Sequence, residues 1–196
     1  MFNSVRRLGL VALALAFATA CSPERAAAPS SVQAPAAAAS GDLLGTVTGT
    51  LGLTSKTGLQ RSTPLANPIT VQQTIGVDGG TLSIPAAGVT VIVPRGALSA
   101  PTVITMTARA GSLVAYDFEP HGTTFARPLI FTQRLNGTKV GVLQAPLLRL
   151  GYYSDPSLLG QTTALVSDLV GGLVNVLTWS FTAPIKHFSG YIVLCG

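Results

Sequence analysis

Asp117, Glu119 and His121 sit at alternate positions, and on a continuous strand that spacing puts three metal-ligating side chains on one face. Pro120 and Gly122 interleave them, however, and mark a strand exit. The segment therefore reads as a solvated turn, and no metal site is expected. His187 is the second of two histidines and stands beside Phe188 and Ser189, so a base and a hydroxyl lie close together near the end of the chain. Tyr152, Tyr153 and Trp179 are the flat rings that a sugar-binding face would use. Strand aromatics of this kind more often pack into a core or a sheet face. The nucleophile elbow G-x-S-x-G and the dinucleotide loop G-x-G-x-x-G are both missing. Gly52-Leu53-Thr54-Ser55-Lys56-Thr57 lacks the glycine before Lys56 and the following helix that a phosphate loop needs. The residues point to a non-enzyme with no cofactor and no small-molecule ligand.

The 196-residue chain is 47% hydrophobic and only 10% charged, with 21 glycines and 13 prolines. These values exclude a disordered acidic chain, a disulfide-dense mini-protein and a Glu/Lys-rich coiled coil. Residues 1–20 carry Arg6 and Arg7, a short apolar stretch, and Ala18-Thr19-Ala20 before Cys21. That is the layout of a secretory signal peptide, too short for a comfortable membrane span. A cysteine directly after the small residues resembles the bacterial lipobox, whose cysteine sulfur takes a diacylglyceryl group with palmitate-type chains and whose cysteine becomes the new N-terminus. Ala18 stands where that motif usually has Leu, and Ser22, in place of Asp, favours the outer membrane by the same resemblance. The expectation is a cell-envelope lipoprotein anchored to the membrane through Cys21, facing the periplasm or the exterior.

Removal of the signal takes two arginines with it and leaves 10 basic against 7 acidic residues, thinly spread. No basic stripe interleaved with aromatics exists, so nucleic acid is not an expected partner. With Cys21 lipidated, Cys195 is the remaining thiol and reads as a small buried residue of the last strand.

Residues 21–40 are rich in Ala, Pro and Ser without periodicity, which makes a flexible tether. Residues 41–74 scatter leucines among Gly45, Gly49, Gly52 and Gly58, and whether this arm is ordered stays open. From Ile75 the pattern is all-β. Strands are expected at 81–84, 89–93, 103–107, 113–118, 129–135 and 147–153, with two more in 164–181 and the last at 191–194. A helix over 158–169 competes, weakened by Gly160 and β-branched residues. Short strands with frequent turn signals predict an antiparallel β-sandwich over 75–196.

Four signatures occur in order along that stretch. They are Gly79-Gly80-Thr81-Leu82; Val93-Pro94-Arg95-Gly96-Ala97-Leu98; Pro120-His121-Gly122 through Phe125 to Pro128; and His187-Phe188-Ser189-Gly190-Tyr191. Together they resemble the ZU5 domain, the β-sandwich module of ankyrins and netrin receptors, which also has bacterial relatives. The signature glycines Gly80, Gly96 and Gly122 suit turns that need positive φ, so the pattern itself is structural. The resemblance implies a protein-interaction or structural module with an envelope protein as partner. It also implies an alternative, because some ZU5-containing proteins cut themselves before the serine of a His-Phe-Ser sequence. Here Ser189 Oγ would attack the Phe188 carbonyl while His187 accepts its proton. The Phe188–Ser189 amide bond would break as the Ser189 nitrogen leaves protonated, an N→O acyl shift, and water would then hydrolyse the ester. A carbohydrate-binding module built on Tyr152, Tyr153 and Trp179 is the third reading.

Overall fold

Val89, Val91 and Val93 are buried while Thr90 and Ile92 face outward, the period-two signature of a strand with one face on a core. The same alternation recurs along most of the chain. The computed structural model describes residues 52–196, so the expected signal at 1–20, the lipidation expected at Cys21, the expected tether and the start of the 41–74 arm lie outside the described residues. The strands are β1 (Thr54–Thr57), β2 (Gln60–Leu65), β3 (Ile69–Ile75), β4 (Gly80–Ile84), β5 (Val89–Val93), β6 (Thr102–Ala108), β7 (Gly111–Leu113) and β8 (Ala115–Glu119). They continue as β9 (Thr124–Arg134), β10 (Arg149–Tyr153), β11 (Thr163–Val166), β12 (Asp168–Gly171), β13 (Leu173–Asn175), β14 (Ser180–His187) and β15 (Gly190–Leu194). Every pairing between them is antiparallel.

Two sheets form the sandwich, a six-stranded one in the order β12-β10-β15-β8-β6-β3 and a five-stranded one in the order β13-β14-β9-β5-β4. Between them lies the main core, in which Phe118, Phe131, Phe181 and Phe188 are almost fully buried. Burying each such ring contributes roughly 1.5–3 kcal/mol. The chain changes sheets between β12 and β13 at Gly172, where a Cβ would come within 2.4 Å of the Phe181 ring and 2.6 Å of the Thr182 carbonyl oxygen. Only glycine fits that corner.

β15 is buried along its whole length instead of alternating. Tyr191 and Val193 face the main core, while Ile192 and Leu194 join Ala115, Tyr153, Ala164 and Val166 in a second cluster. The cover for that outer face is the β1–β11 ribbon, with Thr54 opposite Val166 and Thr57 opposite Thr163. Residues 54–74 thus belong to the folded body as β1, β2 and β3, and the start expected at Ile75 is too late. The stretch 158–169 holds a short 3-10 turn at Pro156–Leu158 and then strands β11 and β12, so the competing helix does not form. Residues 164–181 contribute β11, β12 and β13, and a strand the sequence reading missed, β14, follows them. Gly96 and Gly122 have positive φ as expected, but in the tandem glycine turn it is Gly79 (φ 80°), not Gly80, that takes the left-handed conformation.

Tyr116 ties the two sheets together. Tyr153 links β10 to β8 on the outer face of the larger sheet, through the Tyr116 carbonyl and the Asp117 carboxylate. Tyr116 Oη bonds to Gln133 Oε1 at 2.5 Å and to the Ala87 carbonyl at 3.1 Å. Burial pushes its phenol from the ordinary 10.0 up to about 12, against a lowering pull from Arg61. Burial, helped by the Asp117 carboxylate, pushes Tyr153 upward as well. A raised folded-state value means the neutral phenol is favoured in the native protein. The stabilisation is therefore complete below pH 10 and is lost as pH rises through about 12. Alkaline titration is expected to show phenolate absorbance and loss of β-sheet circular dichroism rising together. Phenolate appearing near pH 10 for all tyrosines with the fold intact would contradict this.

Candidate functional site

The residues with chemical potential are dispersed by the fold. Asp117 stands on the outer face of β8, where its carboxylate takes Arg109 Nη1 at 2.6 Å and the Tyr153 hydroxyl at 2.8 Å. It is thus committed to a structural triad, while Glu119 and His121 stand exposed where the chain leaves β8. Tyr153 is 1% exposed inside the second cluster, and Tyr152 and Trp179 are half-buried against the main core. The three rings do not line up as a flat sugar-stacking face.

At the C-terminal end, Phe188 packs its ring against Phe118 at 5.5 Å with the planes 6° apart, and meets the edge of Phe125 at 4.6 Å. Its N–H donates to the Thr123 carbonyl at 2.9 Å, and its own carbonyl accepts the Gly122 N–H at 3.1 Å. His187 turns to Tyr191. Nδ1 lies 3.4 Å from that phenol oxygen, which also donates to the His187 carbonyl at 2.8 Å, while the Tyr152 ring meets the imidazole edge-on. Ser189 Oγ donates to the Tyr153 carbonyl at 3.4 Å. Base and nucleophile are therefore engaged with different partners, and neither Phe188 nor Ser189 has positive φ. Purified protein is expected to give one intact mass, identical in length for wild type and Ser189→Ala. A fragment spanning 189–196 in wild type alone would establish cleavage.

Cys195, 9% exposed, sits at the end of the last strand against the main core, and its sulfur is disulfide-bonded, where a simple buried thiol was expected.

An apolar groove of about 650 Å³ lies beside β13. Its walls include Pro128 and Ile130 of β9, Pro184 of β14, Leu173 of β13 and Pro146, and Arg149 is the charged residue among its lining. The outward-facing sites on β9 and β14 carry these apolar side chains because the inward ones, Leu129, Phe131, Ala183 and Ile185, already fill the core. Leu173 is 81% exposed and Ile130 42%. β13 ends its sheet, so among the described residues one edge of its backbone has no strand beside it. The sequence reading missed this surface, because exposure on alternate strand positions depends on register.

Residues 71–112 match the ZU5 domain family. The ZU5 match runs from within β3 through β4, β5 and β6 into β7, and so takes in strands of both sheets. It contains the tandem-glycine turn and the Val93-Pro94-Arg95-Gly96 strand exit on which the resemblance first rested. No curated protein matches the chain.

Proposed function

We propose that this chain is a membrane-anchored, non-catalytic envelope lipoprotein whose sandwich holds an extended apolar segment of a partner protein. ZU5 domains mediate protein–protein interaction, which supports a protein as the partner. The groove beside β13 carries the reading further. An extended segment laid along the groove would find Leu173, Ile130 and the three prolines to receive its apolar side chains. Proline walls order few rotamers on binding, which keeps the entropic cost low.

A photo-crosslinking residue at Leu173 is expected to give one discrete adduct in intact cells, abolished by Ile130→Glu. The same probe at Thr70, on the outer face of the other sheet, is expected to give none. No adduct at Leu173, or adducts at both positions unaffected by Ile130→Glu, would overturn the site.

The anchor rests on the basic n-region, the short apolar stretch and the small residues before Cys21. Several acyl chains hold a protein far more durably than one, at roughly 0.8 kcal/mol per buried CH₂. A sulfur carrying a lipid thioether cannot also be half of a disulfide, so the mass of the mature chain decides between the two chemistries for Cys21. Cleavage before Cys21 with added acyl mass supports anchoring, and Cys21→Ser should then release the protein from the membrane. An unacylated chain with Cys21 oxidised would rule anchoring out.

A further inference from the structure

Three asparagines fall among the described residues, and the fold treats them differently. Asn67 precedes Pro68, whose nitrogen carries no hydrogen. The Asn175 side-chain oxygen accepts the N–H groups of Leu177 and Thr178 at 2.9 and 3.1 Å, and the β-branched Val176 follows it. Asn136 is exposed, its side chain has no hydrogen-bond partner among the described residues, and Gly137 follows it.

The Asn136–Gly137 peptide is the centre of a tight turn, closed by the Thr138 N–H on the Leu135 carbonyl at 3.1 Å. Gly137 has φ 83° and Asn136 has no positive φ, which is the pattern of a type II turn. The backbone around that central peptide is fixed. Leu135 N–H donates to the Trp179 carbonyl at 2.8 Å, the Gly137 carbonyl accepts the Ser62 N–H at 2.7 Å, and Lys139 N–H reaches the Gln60 carbonyl at 2.8 Å. The central peptide itself is not held. Neither the Asn136 carbonyl nor the Gly137 N–H has a backbone partner among the described residues, and nothing lies within 4 Å of the place a Gly137 Cβ would take. In a type II turn, ψ of about 120° at the first central residue turns the next nitrogen away from its side chain. Here that peptide plane can swing round without breaking a hydrogen bond.

We propose that Asn136 is a modification site, converted in the folded protein to aspartate and isoaspartate by intramolecular deamidation. The Gly137 nitrogen attacks Asn136 Cγ, the Cγ–Nδ2 bond breaks, and ammonia leaves with the proton of that nitrogen. The product is a five-membered cyclic imide. Water opens it at Cγ to give aspartate, or at the main-chain carbonyl to give isoaspartate, in which the chain runs through Cγ. Water is the one co-reactant, and nothing is oxidised or reduced. The turn lines a pocket of about 180 Å³ whose lining also holds Arg134 and Arg61, the latter 5% exposed, and no acidic residue. Positive charge nearby favours both the ionised product and the deprotonated nitrogen that attacks. The isoaspartate form adds a main-chain carbon just before the Gly137 carbonyl that holds Ser62, and so loosens the seating of β2. The site shares no residue with the groove beside β13 and is independent of the proposed function.

The test keeps the full mature chain folded in ¹⁸O-labelled water at mildly alkaline and mildly acidic pH, with a urea-unfolded sample in parallel. Trypsin, cutting after Arg134 and Lys139 in ordinary water, then releases residues 135–139, and chromatography with mass spectrometry separates the Asn, Asp and isoAsp forms. Heavy oxygen marks the conversions that preceded digestion. Labelled Asp and isoAsp are expected at residue 136 in the folded sample, accumulating faster at alkaline pH, with Asn175 unchanged. Gly137→Ala should slow the conversion about tenfold, because a Cβ crowds the attacking nitrogen and stiffens the peptide. Asn136→Gln, whose imide would need a six-membered ring, should stay unconverted. Conversion in urea but not in the folded protein, equal conversion at Asn175, or a Gly137→Ala rate equal to wild type would overturn the proposal.

Discussion

Replacing Phe188 with alanine is expected to destabilise the protein by about 3–5 kcal/mol, read as a lower urea midpoint at unchanged slope. The ring is 1% exposed, stacked on Phe118 and edged by Phe125, so its removal leaves a cavity bounded by rings anchored in β8 and β9. Those neighbours cannot collapse into the space, because the Phe188 backbone is itself bonded to Thr123 and Gly122. Phe188→Leu keeps most of the volume and should cost less than half as much. If Phe188→Ala unfolds at the wild-type urea concentration, the ring does not hold the two sheets together as described. The same substitution separates packing from chemistry at this tripeptide, since Ser189→Ala removes only a long hydrogen bond to the Tyr153 carbonyl and should leave the midpoint nearly unchanged.

Gly79→Ala is the second large effect, on the order of 3 kcal/mol. At φ 80° an added Cβ would stand 2.2 Å from the Val93 carbonyl oxygen and 2.9 Å from the Arg95 nitrogen. Both obstacles are backbone, held by the β4–β5 pair and by the Gly96 N–H bond to the Val77 carbonyl, so neither yields. Gly137 makes the control. Its φ is similar at 83°, but nothing lies within 4 Å of the Cβ position, and Gly137→Ala should show only the left-handed penalty of roughly 1–2 kcal/mol. Thermal melts of the two variants measured together check the difference, and equal losses would mean that the close approach at Gly79 is unimportant.

The strands with strong local signals were legible in the sequence. The β-branched run at Val89–Val93 needs no distant partner to declare itself, and Pro94 marks its end. What stayed hidden was set by contacts far along the chain. Thr54 finds Val166, and Gln60 finds Leu113, so a Gly- and Thr-rich segment with few apolar residues becomes ordered only because those distant strands are there to pair with it. Choosing Gly79 over Gly80 for positive φ requires knowing where Val93 lies, and no feature of a glycine pair records that. The site residues divide the same way. His187 meets Tyr191 four residues along, inside its own signature, whereas the Ser189 partner, the Tyr153 carbonyl, comes from the distant β10 and is out of reach of any local pattern. Arg61 gave no signal at all in the polar run Gln60-Arg61-Ser62-Thr63, because its burial follows from the 3-10 turn and the β6–β8 connection closing over it.

The last strand occupies the middle of the larger sheet. β15 is flanked by β10 and β8, and its end continues into contact with residues 57–59, so the first and last parts of the folded body close on each other. A chain delivered N-terminus first therefore has a gap at its centre until residue 194 emerges, however long the rest has been available. Folding of that sheet is obliged to wait for its last strand, which makes premature termination by even a few residues as damaging as a core mutation.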